Sequence, residues 1–323
     1  MTATKCSHDA AGWFEMTATH LSIRRVRPLL GTFVEVAVAG APLDAAQAAV
    51  EAAFSAVATV HRLMSFHETD SDVSRLNRSA ASHAVKVHDL TYQVLEAARD
   101  LYRRSGGMFD ISVAPALQRL GLLPLVADLS AYSRGEREQK APARDRIQLL
   151  PVNRVRFADA SVKIDLGGIA KGFAVDCAVE ALRGHGITQG LVNAGGDLRG
   201  FGPRRHVIDI RDPRQPERLL CRVALANAAL ASSAGRFDPL RSRQARCSAV
   251  IDPVTAMPPR SIIGATVCAG SCVIADALTK VVMTGAEAAT PTLEHYGADA
   301  LFVSARSTVH MTANWKNEVR LAA

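Results

Sequence analysis

The run Lys163-Ile-Asp-Leu-Gly-Gly-Ile-Ala-Lys-Gly-Phe-Ala-Val-Asp176 constrains this chain more than any other stretch. Val162–Leu166 predicts a short strand ending on Asp165, and Gly167-Gly168 predicts a tight turn. Ile169 to Arg183 then carries apolar residues at helical spacing until Gly184 stops it. A strand, a glycine turn and a helix N-terminus bring free backbone N–H groups and the positive end of a dipole to one place, where phosphates settle. Lys171, one turn into the helix, would add a full charge, and Asp165 would take a ribose or adenine donor. An ordinary strand–turn–helix with a solvated lysine has the same spacing, so the glycine pair alone leaves both readings open.

The rest of the composition narrows the field. The 323 residues, 48% apolar and 21% charged, suffice for one large domain or two small ones with an ample core. The net charge of +7 (38 basic against 31 acidic side chains) is partly clustered, at Arg24–Arg27, Arg204-Arg205 and Arg241–Arg246. Aromatics are 5% and interleave with no basic run, which argues against a nucleic-acid surface and leaves an acidic ligand or partner as the reason for the sign. The six cysteines show no C-x-x-C pair and no metal-site spacing; Cys268 and Cys272 read as small core fillers in a reduced compartment. The N-terminus lacks the apolar core of a signal peptide, Cys6 follows no hydrophobic segment and no stretch approaches a membrane span, so the cytoplasm is the expected location.

Residues 1–22 read as a poorly ordered extension, 23–315 as one domain and 316–323 as a tail. Phe33, Val34, Val36 and Val38 mark a strand, and Asp44 is the expected cap of an alanine-rich helix to about Met64. Ser65–Asn77 is a polar turn leading into a short helical segment, Val85–Val87 a short strand, and Asp89 the start of a helix to about Ser105. Gly106–Pro115 carries two glycines and an exposed-looking carboxylate, Asp110. Arg134–Lys140 reads as a surface loop, and Val152–Phe157 with Ser161–Ile164 as a hairpin. Beyond the Asn193-Ala-Gly-Gly-Asp197 turn, strands are expected at His206–Arg211, Leu220–Leu230, Ala249–Thr255 and Ile262–Ala269, with a small-residue turn at Ala231–Phe237. A helix over Val273–Gly285 and a hairpin of Leu301–Val303 with Thr308–Met311 follow. Strands outnumber long, dispersed helices without regular alternation, which predicts a mixed α+β domain with predominantly antiparallel sheets and argues against a doubly wound one.

Six segments stand in a telling order: LLGTFVEV, MSFHETDSDVSRLN, GGMFDISVAPAL from Gly106, KIDLGGIAKGFAVD from Lys163, VNAGGDL from Val192, and the IDP and ADAL elements beginning at Ile251 and Ala275. Over roughly residues 25–312 this pattern resembles the ApbE family of FAD:protein FMN transferases. The resemblance implies a Mg²⁺-dependent enzyme that breaks the FAD pyrophosphate and attaches FMN through a phosphoester to a threonine of a target flavoprotein. It assigns FAD contacts to Leu30, His67, Met108, Phe109, Asp110, Asp165, Lys171, Gly195, Gly196 and Val250, with Asp197 as a secondary candidate. It assigns the metal to the Gly168 carbonyl and Asp276, with Thr279, one position before the family's threonine, as the third ligand by a small backbone shift, and catalytic roles to His67 and Asp276.

Two departures from the family pattern bear on the chemistry. The place four residues after the metal-binding aspartate, usually threonine, holds Lys280, whose ammonium has donors only and cannot ligate Mg²⁺. The histidine of the family's His-Ile-x-Asp-Pro element is replaced by Ala249, which leaves His67, able to stack on a flavin ring or to supply a replacement base, or another group in that role. An FAD-binding or FAD-hydrolysing protein that modifies no partner is the alternative these departures leave open.

Overall fold

The structure, a computed structural model, describes residues 22–124, 146–235, 249–315 and 319–321. The expected extension before Ser22, the loop at Arg134–Lys140, the arginines of 241–246, Cys6 and Cys247 lie outside the described residues.

Ser22–Leu29 (β1) and Thr32–Ala39 (β2) pair antiparallel around Leu30-Gly31. Both turn residues have positive φ, 56° and 69°, the geometry whose twist matches that of the flanking strands. In Leu43–Met64 (α1), Ala46, Ala49, Val50, Ala53, Phe54, Val57 and Val60 recur at helical spacing as one buried stripe. Asp44 lies in the first turn without capping it; Pro42 holds the N-cap place. By length and composition α1 is apolar enough to cross a membrane, contrary to the expectation that no stretch approaches a span. Its stripe packs on the sheet and a neighbouring helix, which accounts for that composition.

Asp72–Ser79 (α2), Val85–Lys86 (β3), Asp89–Arg104 (α3) and Ala114–Arg119 (α4) follow, then Ile147–Leu150 (β4) and Arg154–Phe157 (β5). The hairpin expected of Val152–Phe157 with Ser161–Ile164 is displaced: β5 pairs with β4 and β3. Val162–Leu166 forms no strand ladder. The Asn77 amide takes both backbone groups of Ile164, at 2.9 and 2.8 Å, and the Asp165 N–H donates to the Ile111 carbonyl at 2.9 Å. A side chain and a loop do there what a neighbouring strand would otherwise do.

Ala170–Gly184 (α5), Gln189–Ala194 (β6), Asp197–Phe201 (β7), His206–Asp212 (β8), Gln215–Leu225 (β9) and Ala229–Ala234 (β10) precede Ile262–Ala269 (β11) and Cys272–Gly285 (α6). Thr290–His295 (α7), Asp299–Ser304 (β12), Val309–Met311 (β13) and Val319–Leu321 (β14) complete the fold. The large sheet has eight antiparallel strands in the order β1-β2-β6-β7-β10-β11-β12-β13. Its side-chain period of two feeds separate cores. Ala300 and Phe302 of β12 join the core under α1, α5 and α6, whereas Leu301 and Val303 join a second core with Trp315 and the small β14-β9-β8 sheet.

Three further expectations are corrected. Ala231–Ala234 is not a turn but the end of β10, because small Ser232 and Ser233 pair with Thr266 and Ala265 inside the sheet. Ala249–Thr255 is not a strand. The Asp252 carboxylate accepts the Val254 N–H at 2.9 Å and the Thr255 hydroxyl at 3.0 Å, and this local turn outcompetes a ladder. Residues 319–321, expected to lie in a tail, pair with β9. The α+β, mainly antiparallel class stands as expected.

Candidate functional site

Three tight turns converge at one end of the large sheet: Leu30-Gly31 between β1 and β2, Gly195-Gly196 between β6 and β7, and Gly167-Gly168 before α5. At Gly195 (φ 65°) a β-carbon would lie 2.5 Å from the Thr32 hydroxyl oxygen, so only glycine lets the two hairpin tips touch. The turns border a cleft of about 1190 Å³.

Under the cleft, α5 crosses α6. A β-carbon on Gly172 would meet the Cys272 carbonyl oxygen at 2.2 Å and Asp276 Cβ at 2.8 Å, so glycine sets how closely the helices approach. That approach lets the Gly172 N–H donate to Asp276 Oδ2 at 3.0 Å. Lys171 Nζ lies 2.6 Å from Asp197 Oδ2 and 3.5 Å from Asp276 Oδ2. Lys280 Nζ donates to Asp276 Oδ1 and, at 3.0 Å, to the Asp276 carbonyl. Both carboxylates are buried. Burial opposes ionisation of Asp276, but the Lys171 and Lys280 ammoniums win and hold it below the usual aspartate value. Burial and the Asp276 charge push Asp197 up despite the lysines. Burial works against the Lys171 charge, yet Asp197 and Asp276 together raise its pKa. Asp276 is therefore the anchored anion, inside the second turn of α6; the N-cap is Ser271, so a mere capping role is excluded.

Asp176, which closes the FAVD motif, carries no role among the expectations. Its carboxylate accepts the N–H groups of Cys272 at 3.0 Å and Val273 at 2.8 Å, and pairs with Arg199 at 2.8 Å. It holds the start of α6 against α5, across a separation that leaves no signal in the sequence. Asn77, which fixes Ile164 just before Asp165, was missed for the same reason.

Leu30, His67, Met108, Phe109, Asp110, Asp165, Gly168, Lys171, Gly195, Gly196 and Val250 all line the cleft, as does Lys280. Phe109 is also a buried core side chain. Asp110 is half-buried, not exposed, and its carboxylate accepts the Ser112 N–H and hydroxyl, each at 2.7 Å. Asp165 accepts the Gly167 N–H at 3.1 Å, and burial raises its pKa against that bond and the charges of His67 and Lys171. His67 is exposed on the cleft wall, where Ala249 offers no proton acceptor. His61 and the exposed Phe33 also line the cleft and were not singled out from the sequence.

The expected Mg²⁺ ligands do not fit a divalent cation. Both Asp276 oxygens already face an ammonium or an N–H. Thr279 is buried below the cleft, its hydroxyl donating to the Asp276 carbonyl at 2.7 Å and paired with Ser233 at 2.8 Å, so it does not turn toward Gly168. Among the described residues no group of three His, Cys, Asp or Glu side chains is placed to hold a metal.

The fold and site define a class: an α+β protein with glycine turns and lysines gathered over a buried carboxylate pair. The ApbE family profile matches residues 30–302, and the chain belongs to that family. A FAD:protein FMN transferase of Treponema pallidum is 26% identical over 92% of this chain and 88% of its own length. The ApbE protein of Thermotoga maritima superposes with a TM-score of 0.81 at 27% identity, covering 93% of this chain and all of that one. A flavin transferase ApbE from Vibrio cholerae shares the fold at a TM-score of 0.75 and 22% identity, over 93% and 100% of the two chains.

Proposed function

We infer that this protein is an FAD:protein FMN transferase: it takes FAD, releases AMP and leaves FMN on a threonine of a target flavoprotein. The observation that carries this is the Lys171–Asp197–Asp276–Lys280 cluster beneath three glycine turns, in a cleft large enough for a dinucleotide. Lys171, partly exposed, and Lys280 present positive charge to a pyrophosphate. Leu30, Phe33 and Met108 supply apolar wall for the rings.

In the transfer, the threonine oxygen attacks the FMN phosphorus, the bond from that phosphorus to the bridging oxygen breaks, and AMP leaves with that oxygen. The threonine proton goes to a base on the cleft wall, and His67 holds that place because Ala249 cannot accept a proton. Positioning and charge neutralisation are the main work in such a reaction, and the floor cluster is built for both. The donor set does not fit Mg²⁺, so the lysines carry the charge neutralisation. The cytoplasm is retained as the proposed location, open to test by fractionation.

The test is incubation with FAD and a flavoprotein fragment carrying an acceptor threonine, followed by intact mass of the fragment. The expected result is a gain of one FMN, reduced about a hundredfold or more in rate by Asp276→Ala, as when a preorganised charge is removed. AMP release without any mass gain would instead identify an FAD hydrolase.

A further inference from the structure

The resemblance to the family calls for a divalent cation at Asp276, and the structure puts a side chain there. Three observations coincide. The Lys280 ammonium bonds both Asp276 Oδ1 and the Asp276 carbonyl, one helical turn back along α6. Its aliphatic stem reaches the turn that precedes α5: a β-carbon on Gly168 would lie 3.5 Å from Lys280 Cε and 3.8 Å from Lys280 Cγ. Lysine atoms thus fill the space between Gly168 and Asp276, two of the three groups assigned to the metal. The third, Thr279, has its hydroxyl committed to Ser233 and the Asp276 carbonyl.

Charge points the same way. The two buried carboxylates are already matched by two ammoniums, so an added divalent cation would leave the floor with an uncompensated double positive charge. A cation brought into low dielectric needs oxygen ligands to replace its water, and here they are taken. Lys280 lines the cleft with 15% of its side chain exposed, so an anion that enters the cleft meets this side chain.

We propose that the Lys280 ammonium is a built-in substitute for the divalent metal, making this cleft a metal-independent site for the FAD pyrophosphate. The proposal rests on the transferase assignment for its ligand, but not for its metal half. An ammonium carries one charge and donates in up to three directions, so it can hold Asp276 and a phosphate oxygen together.

Two measurements decide it. Mn²⁺ titration of the free protein, followed by electron paramagnetic resonance, is expected to show no uptake at the floor in the wild type and a new site in Lys280→Thr that Asp276→Asn removes from that background. Wild-type Mn²⁺ binding that disappears in Asp276→Asn would overturn the proposal whatever the protein does with flavin. FAD binding, read by flavin fluorescence, is expected to be equal in excess chelator and in Mg²⁺. Lys280→Met, which keeps the stem and drops the charge, is expected to weaken it about tenfold to a hundredfold, the loss of a charge-assisted hydrogen bond. FAD binding that requires Mg²⁺ in the wild type contradicts the proposal while leaving the transferase assignment intact. No FAD binding under either condition defeats the transferase assignment and the pyrophosphate half with it, and the Mn²⁺ titration still rules on the metal half. Thermal melts of both variants separate loss of the cation from loss of the fold.

Discussion

The floor of the cleft and its rim are built by opposite means. At the floor every charged group is buried or half-buried and matched: Lys171 by Asp197 and Asp276, Lys280 by Asp276, and Asp176 by two N–H groups and Arg199. All stand on helices or on the central strand β7. The rim is the tip of a hairpin, the Ser65–His67 segment and the Ala249–Ile251 loop. Few bonds hold it: the His67 N–H donates to Ser65 Oγ at 3.2 Å, and the Ser71 hydroxyl to the Ser65 carbonyl at 2.6 Å. A floor of this kind fixes charge in space, whereas the rim can be altered at little cost to the fold, which is where an enzyme can change its base or its partner.

Gly172→Ala tests the floor and should have the largest effect. Its methyl group would collide with the Cys272 backbone carbonyl, which cannot swing away, so α5 and α6 must separate. The Gly172–Asp276 bond stretches or breaks with them. Overpacking and a weakened bond to a buried charge together cost about 2–5 kcal/mol, to be read from urea midpoints. A midpoint unchanged from the wild type would show that the crossing is not tight and that the floor is no more rigid than the rim.

The same contrast explains what was legible beforehand. Glycines at 167, 168, 195 and 196, Lys171, and the ADAL element sit in runs whose local geometry is dictated by a few neighbours, and each was found in the sequence. So was the α+β class, because the strands and helices announce themselves by period. What escaped were pairings across long separations: Asn77 with Ile164, Asp176 with Cys272 and Val273, and the rotation of Thr279 toward Ser233. Val162–Leu166 looked like a strand because its residues suit one, but a strand is made by its partner, and its partner is an amide side chain. Likewise Asp252 diverted a strand-like run into a turn by bonding its own backbone.

Asp165 lies between the two regimes, half-buried and held by one N–H at 3.1 Å. Because burial raises its folded pKa, its charge opposes folding. Its contribution to stability is fully present below the ordinary aspartate value and is lost as pH rises through the raised one. Asp165→Asn, which can still accept the Gly167 N–H, should therefore be more stable than the wild type at neutral pH. The gain should shrink as pH falls toward the ordinary carboxylate range, and FAD binding should weaken. Asp276 has the opposite sign, since its pKa is lowered: its contribution is present above the ordinary value and lost as pH falls. Melting curves of the Asp165→Asn variant across pH check this, and a gain that instead grows toward acid would refute the sign.

Leu30 makes the sharpest test of the rim, because two effects there nearly cancel. A leucine at φ 56° pays about 1–2 kcal/mol for the left-handed region, which glycine does not. Glycine, in turn, loses about 0.5–1 kcal/mol through its freer unfolded chain, and gives up the half-buried Leu30 side chain that packs on the core edge. Leu30→Gly should thus shift stability by no more than about 0.5 kcal/mol, the scale of an ordinary surface change. Its effect on FAD should be larger, about tenfold in affinity, if the side chain is kept in a strained backbone to meet the ligand. Leu30→Asn, which tolerates positive φ without the added chain freedom, should match it in affinity and exceed it slightly in stability. If both variants instead unfold as readily as Gly172→Ala while binding FAD normally, the hairpin tip belongs to the scaffold, and the division between a rigid floor and a permissive rim is wrong.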